Sequence, residues 1–316
     1  MGQNLVIGSL ALTFHRTCRV PRAQGLVNDL PAGMGNFPVF RVADYTGKAP
    51  GHWKYGGHFF PMYPQEAMWV GFNRPQSPVA LLVGAGMVNA VTGKKLEPKL
   101  IAGKEQNYLV VPPQPWLDGF KRSEGESVFQ FVAAELGKGE TAEEQILGTA
   151  EFGGIQIGVH MPKIPLIPAT RPREHVVGGD YYGEFLSRGV KSMSFTPRDM
   201  GLGTGGAIKQ KIYPDPYLAG RTVTDVWAEE PTEKLYVYIV HANDFEAITG
   251  QKPPATPITY QFYQQHGYPW FGLPDGSWGD VEGGGKPIED LKPVSGGPDL
   301  VNAGVVKPNP MTQGIW

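Results

Sequence analysis

Residues Ser127–Met161 read SVFQFVAAELGKGETAEEQILGTAEFGGIQIGVHM, and two spacings in this stretch decide the fold class. In its second half Ile155, Ile157, Val159 and Met161 alternate with Gln156, Gly158 and His160. That period of two predicts a strand of a sheet with one buried face. In its first half Phe129, Phe131 and Ala133 alternate with Val128, Val132 and Ala134, so both faces of this strand are covered. Between the strands, Thr141 and Glu144 stand at capping-box spacing, in which the hydroxyl accepts the third helical amide and the carboxylate reaches back to the cap amide. Gly148 supplies the left-handed stop. The unit is strand, short capped helix, strand.

Working outward, glycine and proline number 43 and 30 in 316 residues, about twice their usual combined share of roughly 12 per cent. Hydrophobic residues still make up 41 per cent, which favours turn-dense β structure over disorder. The expected fold is mainly β: an antiparallel β-sandwich or jelly-roll-like body with a few short helices. The body spans residues 1–278, with a subdivision at 165–175 where PKIPLIPATRPRE crosses, and an extended arm spans 279–316. Within the body Leu10–Phe14, Phe37–Val42, Ala67–Phe72, Val79–Val83, Tyr108–Val111, Ala207–Tyr213, Val223–Trp227 and Leu235–His241 read as strands. Gly84 and Gly86 mark a bulge or a close backbone approach, and Tyr45–Pro64 an irregular connection. Asn243 caps a helix that stops at Gly250, and Thr256 caps one that stops at Gly267.

A net charge of −2 with only isolated basic pairs gives no electrostatic footprint for nucleic acid or an anionic membrane. The single cysteine, Cys18, excludes an internal disulfide and any multi-cysteine metal site, and reads as a small buried hydrophobe. Leu5–Leu12 lacks the basic flank and cleavage site of a signal peptide, and no apolar run reaches a membrane span. The expected location is therefore cytoplasmic, with unconventional export left open.

Gly201–Gly206 (GLGTGG) fits the glycine pattern of a dinucleotide loop, but no strand leads into it and no helix follows. It reads as a glycine-rich turn, with a phosphate nest at Arg198 or Lys209 the lesser alternative. Seven histidines show no ligand spacing; His52, His58 and Glu66 would form a metal site only by long-range convergence. No cofactor and no metal is expected. Asp118 and Glu135 are the carboxylates that would act on a glycosidic bond if they stood 5 to 10 Å apart, with Trp53, Trp69, Trp116 and Trp270 as a sugar platform. The competing reading, which we favour, places the tryptophans in the core and the carboxylates at an edge. No catalytic residue is assigned.

The segments Phe60–Trp69, Pro113–Gly119, Met200–Gly203 and Ile248–Gly250, with the central unit, resemble a broad family of uncharacterised bacterial and fungal proteins over roughly residues 55–275. No activity or catalytic residue is established for that family, so the resemblance carries no function over to this chain.

The sequence alone then favours a non-enzymatic structural protein that self-associates into a homo-oligomer or filament. The arm carries intermittent apolar residues, and Ile288, Leu291, Val305, Val306, Ile315 and Trp316 are its expected anchors on a neighbour's sheet edge. The alternative is a carbohydrate-binding module or glycoside hydrolase on the same body. The only expected partner is a further copy of the chain; a small-molecule or glycan ligand is left open.

Overall fold

Alternation along the strands places one residue set on a shared inner face. The strands that build this face are β1 (Leu5–Ile7), β2 (Leu10–Thr17), β3 (His58–Met62), β4 (Ala67–Phe72) and β5 (Val79–Ala85). They are followed by β6 (Leu109–Val111), β7 (Ser127–Glu135), β8 (Ile155–His160), β9 (Asp199–Lys209) and β10 (Glu233–His241). Leu12 and Phe14, Met68 and Val70, Phe129 and Phe131, Ile155 and Ile157, and Val237 and Ile239 all enter one buried cluster. The computed structural model describes residues 5–73, 75–169, 197–254, 259–265, 268, 270–271 and 279–296.

The chain is mainly β, and its principal strands join in one large sheet in the order β1-β2-β4-β7-β9-β10-β8-β5. All of these neighbours are antiparallel, whereas β3 runs parallel along β10. The sheet folds back on itself, so that Phe14 of β2 stacks on Phe60 of β3 with ring centroids 4.9 Å apart. Strands before and after residue 170 therefore share one sheet and one core.

The outer faces are covered as well. Gln156 and His160, expected to face solvent, are 6 % and 0 % exposed. One outer cluster, on β5 and β6, holds Leu82, Leu100, Val110 and Trp227; another, on β3 and β10, holds Trp53, Phe59, Tyr238 and Phe245.

The capping pair expected between the two strands of the central unit forms. Thr141 Oγ1 accepts from the Glu144 amide at 3.2 Å, and Glu144 Oε2 accepts from the Thr141 amide at 3.1 Å. One π-helical turn, Glu143–Leu147, follows and ends at Gly148 with φ 71°. The helix Ala242–Thr249 likewise stops at Gly250, but its cap is His241, whose Nδ1 accepts from the Asn243 amide at 3.2 Å. The Thr256 cap and the Gly267 stop lie outside the described residues, as do Val305, Val306, Ile315 and Trp316.

Several expectations are corrected. Val223–Val226 is a short helix, because Thr222 and Asp225 form a capping box that outweighs its β-branched composition. His58–Met62 lies in the stretch read as irregular; its HFFPM sequence is a strand despite Pro61. Of the two readings of Gly84 and Gly86, close approach holds and the bulge does not: a Cβ on Gly84 would stand 2.7 Å from Leu96 Cδ2 and one on Gly86 2.6 Å from Glu143 Cβ. Gly86 and Met87, at φ 57° and 61°, turn the chain between Ala85 and Val88. The glycine-rich stretch 201–206 is not a turn but the middle of β9. Other segments lie across it: a Cβ on Gly206 would strike the Pro21 carbonyl, and one on Gly203 would stand 2.6 Å from Val294 Cγ2.

Residues 279–296 are a strap on the chain's own body rather than a free arm. Ile288 and Leu291, expected as anchors on a neighbour, are 0 % and 3 % exposed inside the main core. The strap is held by backbone bonds from Val281 N to Ile212 O at 2.9 Å and from Gly284 N to Val91 O at 2.7 Å. Charged clips add to this: Lys121 Nζ reaches Asp280 Oδ2 at 3.0 Å and Arg122 Nη2 reaches Glu289 Oε2 at 3.2 Å. Among the described residues no helix is long and apolar enough to cross a membrane.

Candidate functional site

The carboxylate pair of the glycosidase alternative does not assemble. Asp118 is buried beside Phe131, whose amide donates to the Asp118 carbonyl at 2.9 Å. Glu135 stands four residues further along β7, which at about 3.3 Å per residue separates the two by roughly 13 Å. Asp118 Oδ2 accepts from Trp116 Nε1 at 2.5 Å and Gln210 Nε2 at 2.9 Å, so it ties its own segment to Gln210. Burial pushes its carboxyl up to about 7, against the pull of the Trp116 bond.

Glu135 belongs to a charged cluster at the end of β7, β9 and β10. Arg198 Nη1 lies 3.5 Å from Glu135 Oε1, and Arg198 Nε lies 3.2 Å from the buried Asp244. His241 Nε2 is 3.6 Å from Glu135 Oε1. Burial, then the neighbouring Arg198 charge, holds the His241 imidazole below its ordinary range.

The metal site is not assembled either. His52 pairs with Asp199, Glu66 pairs with Arg16, and His58 Nδ1 is buried without a hydrogen-bond partner. No group of three or more histidine, cysteine or acidic side chains able to hold a metal occurs among the described residues. Of the tryptophans of the alternative sugar platform, Trp53 stacks on Tyr238 at 4.6 Å, Trp69 on His15 at 3.6 Å, and Trp53 and Trp116 are buried, as the favoured reading has them. Trp270 packs against Tyr263 at 5.5 Å. Cys18 is buried, which raises its thiol well above its ordinary range and leaves it unreactive.

A concavity lies instead on the outer face of β5, β8 and β10, in the gap between the two outer clusters. It encloses about 440 Å³, within the range of small-molecule sites. The strands supply its floor: Leu82, Gln156, Gly158 and Tyr236. Gly158 keeps that floor low, since a Cβ there would stand 3.3 Å from Pro231 Cγ. Leu96, Pro98, Pro231 and Met87 complete the lining together with the aromatic pair Tyr55 and Phe152.

The floor is rigid. Gln156 Oε1 accepts from the Met87 amide at 2.7 Å, and its Nε2 donates to the Gly153 carbonyl at 2.7 Å. The Tyr236 hydroxyl donates to the Phe152 carbonyl. Tyr55 stacks on Tyr236 with centroids 5.1 Å apart and planes 16° apart, yet remains 60 % exposed. It is the most exposed aromatic ring among the described residues, and it stands on a fixed support. Just outside the lining, His160 is fully buried on the same sheet face; its Nδ1 meets the Ala228 carbonyl at 2.7 Å and its Nε2 has no hydrogen-bond partner.

Sequence reasoning missed this groove. Its aromatic wall comes from Tyr55 and Phe152, nearly a hundred positions apart and both in loops, and neither carries a motif. The available signal was the run Tyr236-Val-Tyr238 on a strand whose other face is aliphatic. No protein-family model, no curated protein and no solved structure matches this chain.

Proposed function

We propose that this chain is a non-catalytic binding module whose outer-face groove takes a flat apolar ligand, an aromatic ring above all. The observation that carries the reading is Tyr55: a ring 60 % exposed, stacked on Tyr236, at the mouth of an apolar concavity. Aromatic side chains held in one orientation add about 0.5–1.5 kcal/mol per ring contact beyond the area they bury. The saturated polar groups of Gln156 and Tyr236 favour an apolar body over a hydroxyl-rich sugar.

Isothermal titration with 3-methylindole tests it. Wild type is expected to bind one equivalent, Tyr55→Ala about tenfold more weakly, and Gly158→Leu not at all because the new side chain fills the floor. Equal binding by all three proteins would refute the reading.

A second reading, a non-enzymatic homo-oligomer, is favoured by the exposed apolar residues Val6 (62 %) on β1 and Ile167 (90 %). Among the described strands β1 pairs with β2 alone, which leaves its outer edge open. Light scattering decides: the wild type is then an oligomer, and Val6→Lys or Ile167→Lys dissociates it. A monomeric wild type removes this reading.

A further inference from the structure

The groove is apolar in its body but not at its margins, where Glu97 and Lys234 both line it and both are exposed. They carry opposite charges, and neither side chain makes a hydrogen bond or ion pair with a described residue. Some exposed charges on this chain are paired, as in Lys163 on Glu229 at 3.0 Å and Lys209 on Asp29 at 2.7 Å, and others are not; what sets Glu97 and Lys234 apart is that both line the groove. One unspent acid and one unspent base around a single aromatic groove define a pattern of charge complementarity.

We infer that the groove recognises a small zwitterion with an aromatic side chain, of the α-amino-acid type. The ring lies against Tyr55 and Tyr236, the ammonium group faces Glu97, and the carboxylate faces Lys234. The inference rests on the groove being a ligand site and goes beyond it by assigning the charges of the ligand. A neutral or singly charged ring leaves at least one of the two margin groups unmatched. An ammonium group also gains from the faces of the aromatic wall. Both margin residues are exposed, so each charge contributes modestly, up to about fivefold in affinity.

Four probes that share one ring system separate the contributions: L-tryptophan carries both charges, indole-3-propionate the carboxylate, tryptamine the ammonium, and 3-methylindole neither. By isothermal titration at low salt, tryptophan is expected to bind roughly ten- to twentyfold more tightly than 3-methylindole, with the single-charge probes between. Lys234→Gln lowers tryptophan to the level of tryptamine, and Glu97→Gln lowers it to that of indole-3-propionate. Both residues are exposed, so neither variant threatens folding. Added salt compresses the series toward 3-methylindole.

If tryptophan binds no more tightly than 3-methylindole, or if either variant leaves its affinity unchanged, the zwitterion inference is overturned while the aromatic groove stands. If none of the four binds, both fall.

Discussion

Replacing Ile288 by alanine removes three carbons from a side chain that is 0 % exposed, in the segment that straps the C-terminal residues onto the sheet. The side chain seats against the turn at Gly93, where a Cβ would stand 2.5 Å from Ile288 Cγ1. That turn is further tied to the strap through Gly284 N and Val91 O. Both neighbours are backbone-restrained, so the space left behind cannot collapse fully. Isoleucine-to-alanine changes at such sites cost about 2–5 kcal/mol. With an unfolding entropy of about 2.1 cal/mol/K per residue, ~3 kcal/mol lowers the Tm of a 316-residue chain by about 4–5 °C. Differential scanning calorimetry measures this directly, with the exposed Glu282→Ala as the control that leaves Tm unchanged. A strap held in cis gives a Tm independent of protein concentration, whereas an arm exchanged between copies gives one that rises with it. A shift below 1 °C for Ile288→Ala, or a concentration-dependent Tm, would refute the assignment of this segment to its own core.

Other residues make equally specific demands. Asp118 has its folded pKa raised to about 7 from 3.8, so the folded state holds its proton more tightly. Its favourable contribution is full below about pH 3.8 and is lost as pH rises to about 7. Asp118→Asn keeps an acceptor for Trp116 and Gln210, so in urea melts it should remove the decline in stability between pH 4 and 7; a decline of undiminished slope would contradict this. Glu66→Ala leaves Arg16 in a buried site without its carboxylate partner and should cost about 3–5 kcal/mol, read from the urea midpoint. Gly206→Ala drives a methyl into the Pro21 carbonyl and should destabilise by about 1–3 kcal/mol, whereas Gly139→Ser, which meets nothing within 4 Å, has only its φ of 73° to accommodate.

How much of this was legible follows from the range of each signal. The strands Ser127–Glu135 and Ile155–His160, and the Thr141–Gly148 turn between them, rest on spacings within about eight residues and formed where those spacings placed them. The second strand, however, is buried on both faces rather than one, and Met161, read as part of its inner face, is exposed. Val223–Trp227 was misread because β-branched composition was weighed above the Thr222–Asp225 cap, a local signal equally present in the sequence. The strap was misread for a different reason. Its apolar residues are sparse, and only the folded sheet reveals sites for Val281, Ile288, Leu291 and Val294. The glycines of β9 carry the same lesson: their small size answers to Pro21, Glu140 and Val294, all distant in sequence. The groove is the least legible feature, since its walls are contributed by loops from four parts of the chain and its floor by three strands.

The central claim, that the outer-face groove is where this protein meets its ligand, is tested most directly by ¹⁹F NMR of fluorotyrosine-labelled protein titrated with L-tryptophan. Resonances assigned by single Tyr→Phe substitutions should move for Tyr55 and Tyr236. Those of Tyr108 and Tyr263, buried elsewhere at 0 % and 1 % exposure, should stay fixed. A spectrum that does not change at saturating ligand, or one in which Tyr55 and Tyr236 stay fixed while other tyrosines move, would contradict the account.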